Sequence, residues 1–236
     1  MRDNENREQC AERRRIEDAR PNLVELYTAR HCAAIDLVLA RIGVPERALQ
    51  VARHCKSTKA VQAIDEVGSH GCMILSGGVG CGKTVAAAKW IHDYVVSKNV
   101  WKTKRVCNFD DETMDYQFTF LGKAVWVTAA KLARAYHYDS AIVAQYTECE
   151  RLVIDDLGKE YLDAKGFYTA LLDEIVDERY AHMRATVLTT NASDADFKER
   201  YKTRIVDRVR ETGRFFGCGE ESLRKPPESE QRSLAV

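Results

Sequence analysis

The segment GGVGCGKT, residues 77–84, has the residue types and spacing most specific for a chemical role in this sequence. It matches the pattern G-x-x-x-x-G-K-[ST], in which glycines let successive backbone N–H groups turn inward around the α- and β-phosphates of a nucleotide. Lys83 can then reach the β- and γ-phosphates, and the Thr84 hydroxyl is suited to Mg²⁺. The spacing predicts a site for ATP and Mg²⁺, and the alternative is a glycine turn that happens to precede a lysine. The predicted nucleotide-binding residues are Gly77, Gly78, Val79, Gly80, Cys81, Gly82, Lys83, Thr84 and Val85.

Two acids in the segment RLVIDDLG, residues 151–158, form the second candidate group. Asp155 is predicted to hold Mg²⁺ through its water shell, together with Thr84, and Asp156 to polarise the attacking water. The alternative is a surface turn with two solvated acids. It fits poorly, because the apolar run 152–154 before the acids indicates a buried strand that points at the phosphate loop.

Asn191 lies at the end of another predicted strand, residues 186–188, after Thr189 and Thr190. A polar side chain at the carboxyl end of a strand beside the phosphate loop can hydrogen-bond the γ-phosphate or the attacking water. An N-cap of the following helix is the equally weighted alternative for Asn191.

Arginines supply the remaining candidates. Arg204 and Arg208 are four residues apart on a predicted helix and therefore share its polar face. One of them could enter the γ-phosphate site of a neighbouring subunit as an arginine finger, and the alternative is a solvated face paired with Asp207. Arg224 follows the last predicted strand.

The elements that position these residues follow from hydrophobic periodicity. Apolar runs predict strands, and helical patterns, including residues 84–97 directly after the phosphate loop, separate them. Alternating strands and helices indicate an α/β domain with a mostly parallel sheet. Residues 101–122 have no clear period and are interpreted as an insertion or hairpin. The predicted strands are 72–75, 124–127, 152–154, 186–188 and 214–216.

An amphipathic helix is predicted between Asn22, a plausible N-cap, and Gly43. Its stripe could dock on a partner protein or fold back on its own domain. Residues 3–20 are interpreted as a solvated helix or a disordered segment, and residues 225–236 as a flexible tail. The predicted apolar stripe comprises Leu23, Leu26, Tyr27, Ala34, Leu37 and Val38.

The balanced charge of the chain limits how it could bind nucleic acid. Thirty-six Lys and Arg cancel thirty-six Asp and Glu, so nucleic-acid binding must be local. Lys131, Arg134 and Tyr138 lie at i, i+3 and i+7 on a predicted helix, which suits single-stranded DNA or, alternatively, a solvated face with a packed tyrosine. No apolar run suits a membrane span or a signal peptide, so we expect a cytoplasmic protein without membrane partners.

Eight cysteines without a C-x-x-C pattern are interpreted as reduced thiols. The pairs His31-Cys32 and His54-Cys55 suggest zinc only weakly, because adjacent helical residues point about 100° apart.

The motif order resembles a known group. GGVGCGKT, RLVIDDLGKE, ATVLTTN, RIVDRVR and EESLRK, with GVPERAL and VWVTAAKLARA, are similar to the DnaC/DnaI helicase-loader branch of the AAA+ ATPases and its relative, the IstB transposition helper. The resemblance implies an AAA+ P-loop core at residues 43–224, a helical N-terminal region at 1–42 that could dock a partner, and a tail at 225–236. It implies these roles: Lys83 and Thr84 in Walker A, Asp155 and Asp156 in Walker B, Asn191 as sensor 1, Arg208 as the arginine finger with Arg204 second, and Arg224 as sensor 2.

The resemblance further implies an ATPase that self-associates through its ATP site and loads a DnaB-like replicative helicase onto single-stranded DNA. Many AAA+ proteins have glutamate where this chain has Asp156, so turnover is expected to be slow. The alternatives are an IstB-like transposition helper and an ATP-binding adaptor with negligible turnover. A P-loop kinase is disfavoured, because an AAA+ interface explains the arginine pair and Asn191 better.

Overall fold

The computed structural model describes residues 23–55, 57–67, 70–108, 111–120, 122–135, 140–158, 160 and 166–224. Its helices are α1 (Leu23–Ile42), α2 (Glu46–His54), α3 (Lys59–Asp65), α4 (Lys83–Ser97), α5 (Ala129–Ala135), α6 (Ser140–Glu148), α7 (Phe167–Ala181) and α8 (Asp194–Thr212). Its strands are β1 (Cys72–Ser76), β2 (Asn99–Asn108), β3 (Asp111–Phe120), β4 (Ala124–Thr128), β5 (Arg151–Leu157), β6 (Ala185–Thr190) and β7 (Arg214–Gly217).

Five strands form one sheet in the order β4-β5-β6-β1-β7. All four neighbouring pairs are parallel, which confirms the predicted parallel α/β core and each of its five strands. Because the strands are parallel, their carboxyl ends meet at one edge, where open α/β sheets bind their ligands. The residues after β1, β5 and β6 are therefore brought to that edge.

Alternation along the strands divides the apolar residues between two cores. Met73 and Leu75 of β1 pack in a cluster with residues of α1, α2, α3 and α4. Their neighbours Cys72 and Ile74 pack on the other face, with residues of α5, α6, α7 and α8. Helices cover both faces, so β1 is buried along its whole length, as a central parallel strand requires.

The end of helix α1 folds back on the domain. Ile35 and Leu39 are buried in the core beside α4. Leu37, which was expected in the apolar stripe, is 65% exposed, so that part of the prediction is wrong. At 100° per residue, a face centred on Ile35 and Leu39 leaves Leu37 on the opposite side of the helix. The side chains at residues 23–30 lie outside the description, and the domain boundary at residue 43 stays a prediction.

The segment predicted as an insertion or hairpin is an antiparallel hairpin. β2 pairs with β3 from Asn99 opposite Phe120 to Asn108 opposite Asp111, and the two strands form a separate sheet. Across the part of the chain that the structure describes, no helix combines the length and the apolar character that a membrane crossing needs.

Candidate nucleotide-binding site

The phosphate loop joins β1 to α4 at the carboxyl edge of the sheet. Its first glycine, Gly77, has φ 147°, and Gly82, which directly precedes α4, has φ 98°. Residues with a Cβ rarely adopt these angles, so glycine is needed at both positions. The turn leaves the first N–H groups of α4 at the helix N-terminus, where the helix dipole favours an anion.

Lys83 is the charged centre of the loop. It is 6% exposed, and its Nζ donates hydrogen bonds to the carbonyl oxygens of Gly77 (2.7 Å) and Gly78 (2.8 Å). The Cys81 sulfur lies 3.5 Å from the same nitrogen. Among the described residues, no carboxylate forms a salt bridge with Lys83. A buried ammonium with neutral partners favours an anionic ligand, which matches the phosphate groups that the motif predicts.

Thr84 and Asp155 meet beside the loop, although 71 positions separate them in the chain. The Thr84 hydroxyl donates to Asp155 Oδ1 at 3.2 Å, and Asp155 is 4% exposed. A hydroxyl that donates its hydrogen to a carboxylate keeps its lone pairs for a metal ion. This donor set, a hydroxyl beside a carboxylate, is of the oxygen type that Mg²⁺ prefers.

Asp156 sits on an irregularity of β5. The pairing between β5 and β6 is interrupted between Ile154 and Leu157, which makes a β-bulge. Asp156 has φ 61°, an unusual angle for a residue with a side chain, and it is half-buried. Asp156 therefore has a backbone conformation different from that of the regular part of β5.

Asn191 directly follows β6 and is exposed at the same edge of the sheet. It does not cap the next helix, so that alternative is wrong. The N-cap of α8 is Ser193, whose hydroxyl accepts a hydrogen bond from the Asp196 N–H at 3.2 Å. Its role towards the γ-phosphate stays a prediction.

Residues 218–224, here named the C-terminal strap, run along the phosphate loop after β7. Three backbone hydrogen bonds join the strap to the end of β1 and to the loop: Cys218 N–H to Ser76 O (2.6 Å), Gly78 N–H to Gly219 O (3.0 Å) and Leu223 N–H to Gly80 O (3.0 Å). Burial raises the pKa of the Cys218 thiol to about 12, so it stays protonated at neutral pH. The strap thus lies beside the phosphate loop, and sequence reasoning had predicted only Arg224 of it as a site residue.

The strap lies so close to the loop that side chains at three glycine positions of the loop would press against it. A Cβ on Gly77, Gly78 or Gly80 would come closer than 3.0 Å to atoms of Gly219, Glu220 or Ser222, respectively.

The strap also brings Arg224 to the loop. A Cβ on Gly80 would lie 3.5 Å from Arg224 Cδ. The predicted sensor 2 arginine is therefore beside the phosphate loop, and its functional role stays a prediction.

Arg204 and Arg208 project from α8 onto α7 of the same chain. Arg208 forms ion pairs with Asp177 and with Asp173 (3.5 Å), and Arg204 pairs with Asp173 at 3.2 Å and Asp177 at 3.8 Å. The Arg208 side chain is 14% exposed and the Arg204 side chain 67% exposed. Both arginines therefore pair with α7, not with Asp207 as the alternative supposed, and the arginine-finger role of either one stays a prediction.

Glu160 is a buried acid whose structural role sequence reasoning missed. Its carboxylate accepts hydrogen bonds from the Gly158 N–H (2.8 Å), from the Tyr201 hydroxyl and from Arg200 Nη2 (3.2 Å). Burial, and next the hydrogen bond to Glu160, raises the pKa of the Tyr201 hydroxyl. Glu160 ties the turn after Asp156 to helix α8, which carries the arginine pair. This link is visible only in the structure, because Arg200 and Tyr201 are far from Glu160 in the sequence.

Two of the three predicted DNA-contacting residues can be placed. Lys131 and Arg134 are exposed on α5, three residues apart, and therefore share one face of that helix. Tyr138 lies outside the described residues. Six of the eight cysteines carry free thiols in the described part of the chain: Cys32, Cys55, Cys72, Cys81, Cys149 and Cys218.

The chain was compared with protein-family models, curated proteins and solved structures. No protein-family model matches the sequence, and no curated protein matches it either. Solved structures do match, and the fold they share with this chain is the AAA+ P-loop NTPase fold, a parallel five-stranded sheet between helices.

Two of the similar solved structures illustrate the likeness. A crystal structure of the DnaC helicase loader covers 73% of this chain and 99% of its own, with a TM-score of 0.54 and 19% identity. A crystal structure of DnaI covers 77% of this chain and 95% of its own, with a TM-score of 0.55 and 15% identity. The likeness to the DnaC/DnaI branch that the motifs predicted is thus confirmed at the level of the fold.

Proposed function

We propose that this chain binds ATP with Mg²⁺ and hydrolyses it. The observation that carries the proposal is the buried Lys83 ammonium, hydrogen-bonded to neutral carbonyl groups, beside the paired Thr84 and Asp155. Bound ATP·Mg²⁺ would supply the γ-phosphate and the charge that polarises it. Lys83 would hold the β- and γ-phosphates, and Thr84 and Asp155 would hold the metal ion.

Asp156 would take up the proton of the attacking water, and Asn191 would orient that water or the γ-phosphate. Aspartate is one methylene shorter than the glutamate of many AAA+ proteins, and its place on a bulge fixes its backbone. We therefore expect slow turnover. An ATP-binding adaptor with negligible hydrolysis is the second candidate, and the shortness of Asp156 favours it.

The biological role that we propose is loading or assisting a DnaB-like replicative helicase. It is supported by the fold shared with the DnaC helicase loader and DnaI and by the motif order of the sequence. In this proposal Arg208 of one subunit reaches the γ-phosphate of the next, so that ATP controls self-association. Lys131 and Arg134 supply a local basic face for single-stranded DNA, with modest and salt-sensitive affinity, because the chain has no net charge.

The first experiment is light scattering on a size-exclusion column. The protein is mixed with the replicative helicase of the same organism, with ATP·Mg²⁺, with ADP·Mg²⁺ or without nucleotide, and Lys83→Ala is run in parallel. We expect a complex with ATP·Mg²⁺ that loosens with ADP and does not form with Lys83→Ala. Fluorescence anisotropy of a labelled oligothymidylate in the same buffers would test the DNA contact.

A folded wild-type protein that binds ATP but forms no complex in any nucleotide state would contradict the loader role. A complex with a transposase, tested in the same way, would then support the transposition-helper alternative. Tight ATP binding with a helicase complex but no phosphate release would support the adaptor instead.

A further inference from the structure

Thr189 lies on β6, between the strand that ends in the two acids and the strand that feeds the phosphate loop. It is fully buried. Its Oγ1 donates to Asp155 Oδ1 at 2.5 Å and accepts from the Asp156 N–H at 2.9 Å. One hydroxyl therefore bonds the carboxylate of Asp155 and the backbone N–H of Asp156, and the short contact to the carboxylate is typical of a charge-assisted hydrogen bond.

The register of the strands explains why a hydroxyl is needed at this position. Ile154 pairs with Leu188 and Leu157 pairs with Thr190, so two residues of β5 stand opposite the single residue Thr189. On its other side, Thr189 pairs regularly with Leu75 of β1. The bulge takes the Asp156 N–H out of the regular ladder, and the Thr189 hydroxyl gives that N–H a partner.

The same hydroxyl acts on the metal-binding side of the site. Asp155 Oδ1 accepts from Thr189 on β6 and from Thr84 on α4, so two hydroxyls from different elements fix the carboxylate. Without the Thr189 hydroxyl, the Asp156 N–H would lose this partner and Asp155 would lose one of its donors. Both losses fall on groups that the proposed hydrolysis uses, because Asp155 holds the metal ion and Asp156 acts on water.

We propose that Thr189 is a positioning residue for ATP hydrolysis. Its hydroxyl fixes the bulge so that Asp155 stays directed at Thr84 while Asp156 keeps its left-handed backbone at the sheet edge. This inference rests on the proposed function and adds to it a residue that acts through the two acids.

The test compares Thr189→Val, which removes the hydroxyl at nearly constant shape, with Thr189→Ser, which keeps it. Thr186→Val is the matched control, because Thr186 is buried on the same strand, its hydroxyl bonds Arg179 at 2.7 Å, and it lies at the strand end away from the site. The first readout needs no nucleotide: amide hydrogen exchange of the peptide that contains Asp156. The second is the kcat and KM for ATP, with ATP affinity measured with and without Mg²⁺.

For Thr189→Val we expect faster exchange at Asp156 and a kcat about 10-fold lower or more, as for loss of a hydrogen bond to a charged group. ATP affinity without Mg²⁺ should stay within about twofold, because the phosphate loop is unchanged, and the gain in affinity from Mg²⁺ should shrink. Thr189→Ser should restore all three quantities, and Thr186→Val should change none of them.

Wild-type exchange and kcat in Thr189→Val would overturn the inference, as would failure of Thr189→Ser to restore them. An equal loss of kcat in Thr186→Val would also overturn it, since the effect would then be general destabilisation. If the wild-type protein bound no ATP, the proposed function would fall. The exchange data would still decide whether Thr189 holds the bulge, since unchanged protection of Asp156 in Thr189→Val would refute that.

Discussion

The sheet edge and the α7–α8 face hold their charged residues in opposite ways. At the edge, Asp155 is 4% exposed and accepts hydrogen bonds from two hydroxyls. On the α7–α8 face, the exposed Arg204 and the partly buried Arg208 form ion pairs with Asp173 and Asp177. Fixed, buried hydrogen bonds prepare the edge for a ligand, whereas the arginines are occupied by aspartates of their own chain.

In the proposed function, this difference would separate ATP binding from the part of hydrolysis that needs a second subunit. The groups proposed to bind ATP are assembled within one chain. For Arg208 to reach a neighbouring subunit, it must first leave Asp177 and Asp173. Exposed ion pairs contribute only about 0.2–1 kcal/mol each, and the pairs of Arg208, which is 14% exposed, should cost more to break than those of the exposed Arg204. We therefore expect the edge to tolerate little change and the α7–α8 face to respond to assembly.

The largest effect is expected from Lys83→Ala at the edge. ATP binding should weaken about 10- to 100-fold, because a charged hydrogen-bond donor to phosphate is lost, and turnover should disappear with it. Without nucleotide the melting temperature should stay equal or rise, since the variant removes a buried charge with neutral partners. Isothermal titration with ATP and a thermal melt measure the two quantities. Unchanged ATP affinity would show that the edge does not bind phosphate as proposed.

Arg208→Ala should lower hydrolysis while leaving ATP binding almost unchanged. ATP affinity should stay within about twofold, and kcat should fall by about 10³-fold if Arg208 acts as an arginine finger. Steady-state ATPase assays at a protein concentration that supports assembly measure this, with Arg210→Ala as the control because Arg210 is exposed on the same helix. Normal turnover in Arg208→Ala together with lost turnover in Arg204→Ala would transfer the role to Arg204, the more exposed of the two.

The smallest effect is expected where the strap meets the loop. In Gly78→Ala the new Cβ would lie 2.7 Å from Glu220 O, so the strap must shift. Such overpacking costs about 1–3 kcal/mol, and the melting temperature should fall by about 2–10 °C. Gly217→Ala is the matched control, because nothing lies within 4 Å of a Cβ there. Equal melting temperatures for the two variants would show that the strap does not restrain the loop.

Much of the fold and part of the site could be predicted from local sequence. The five strands and the helix after the phosphate loop each follow from a short apolar pattern. Lys83 and Thr84 are fixed by spacing within eight residues, and Asp155 by its place after a buried strand. These features depend on neighbours in the sequence, which is why reading along the chain finds them.

The features that could not be predicted depend on distant contacts. The role of Glu160 requires Arg200, forty positions away, and the double hydrogen bond of Thr189 requires a bulge on another strand. Leu37 was misplaced because the buried side of α1 is chosen by packing against α4, which a helical period alone does not determine. Asn191 was a plausible cap by type, but the chain turns two residues later, at Ser193.

Because the strap contacts the loop closely, retention of the loop glycines in related sequences would not by itself indicate that nucleotide binding is retained. A Cβ at Gly77 or Gly78 would clash with the strap backbone, and one at Gly80, where φ is 90°, would press on the Ser222 side chain, even before a phosphate is considered. A descendant that had given up nucleotide binding would still be under selection to keep these three glycines as long as it kept the strap. In such a lineage the loss of Lys83 or Thr84, and not the loss of a glycine, would record that the ATP site had been abandoned.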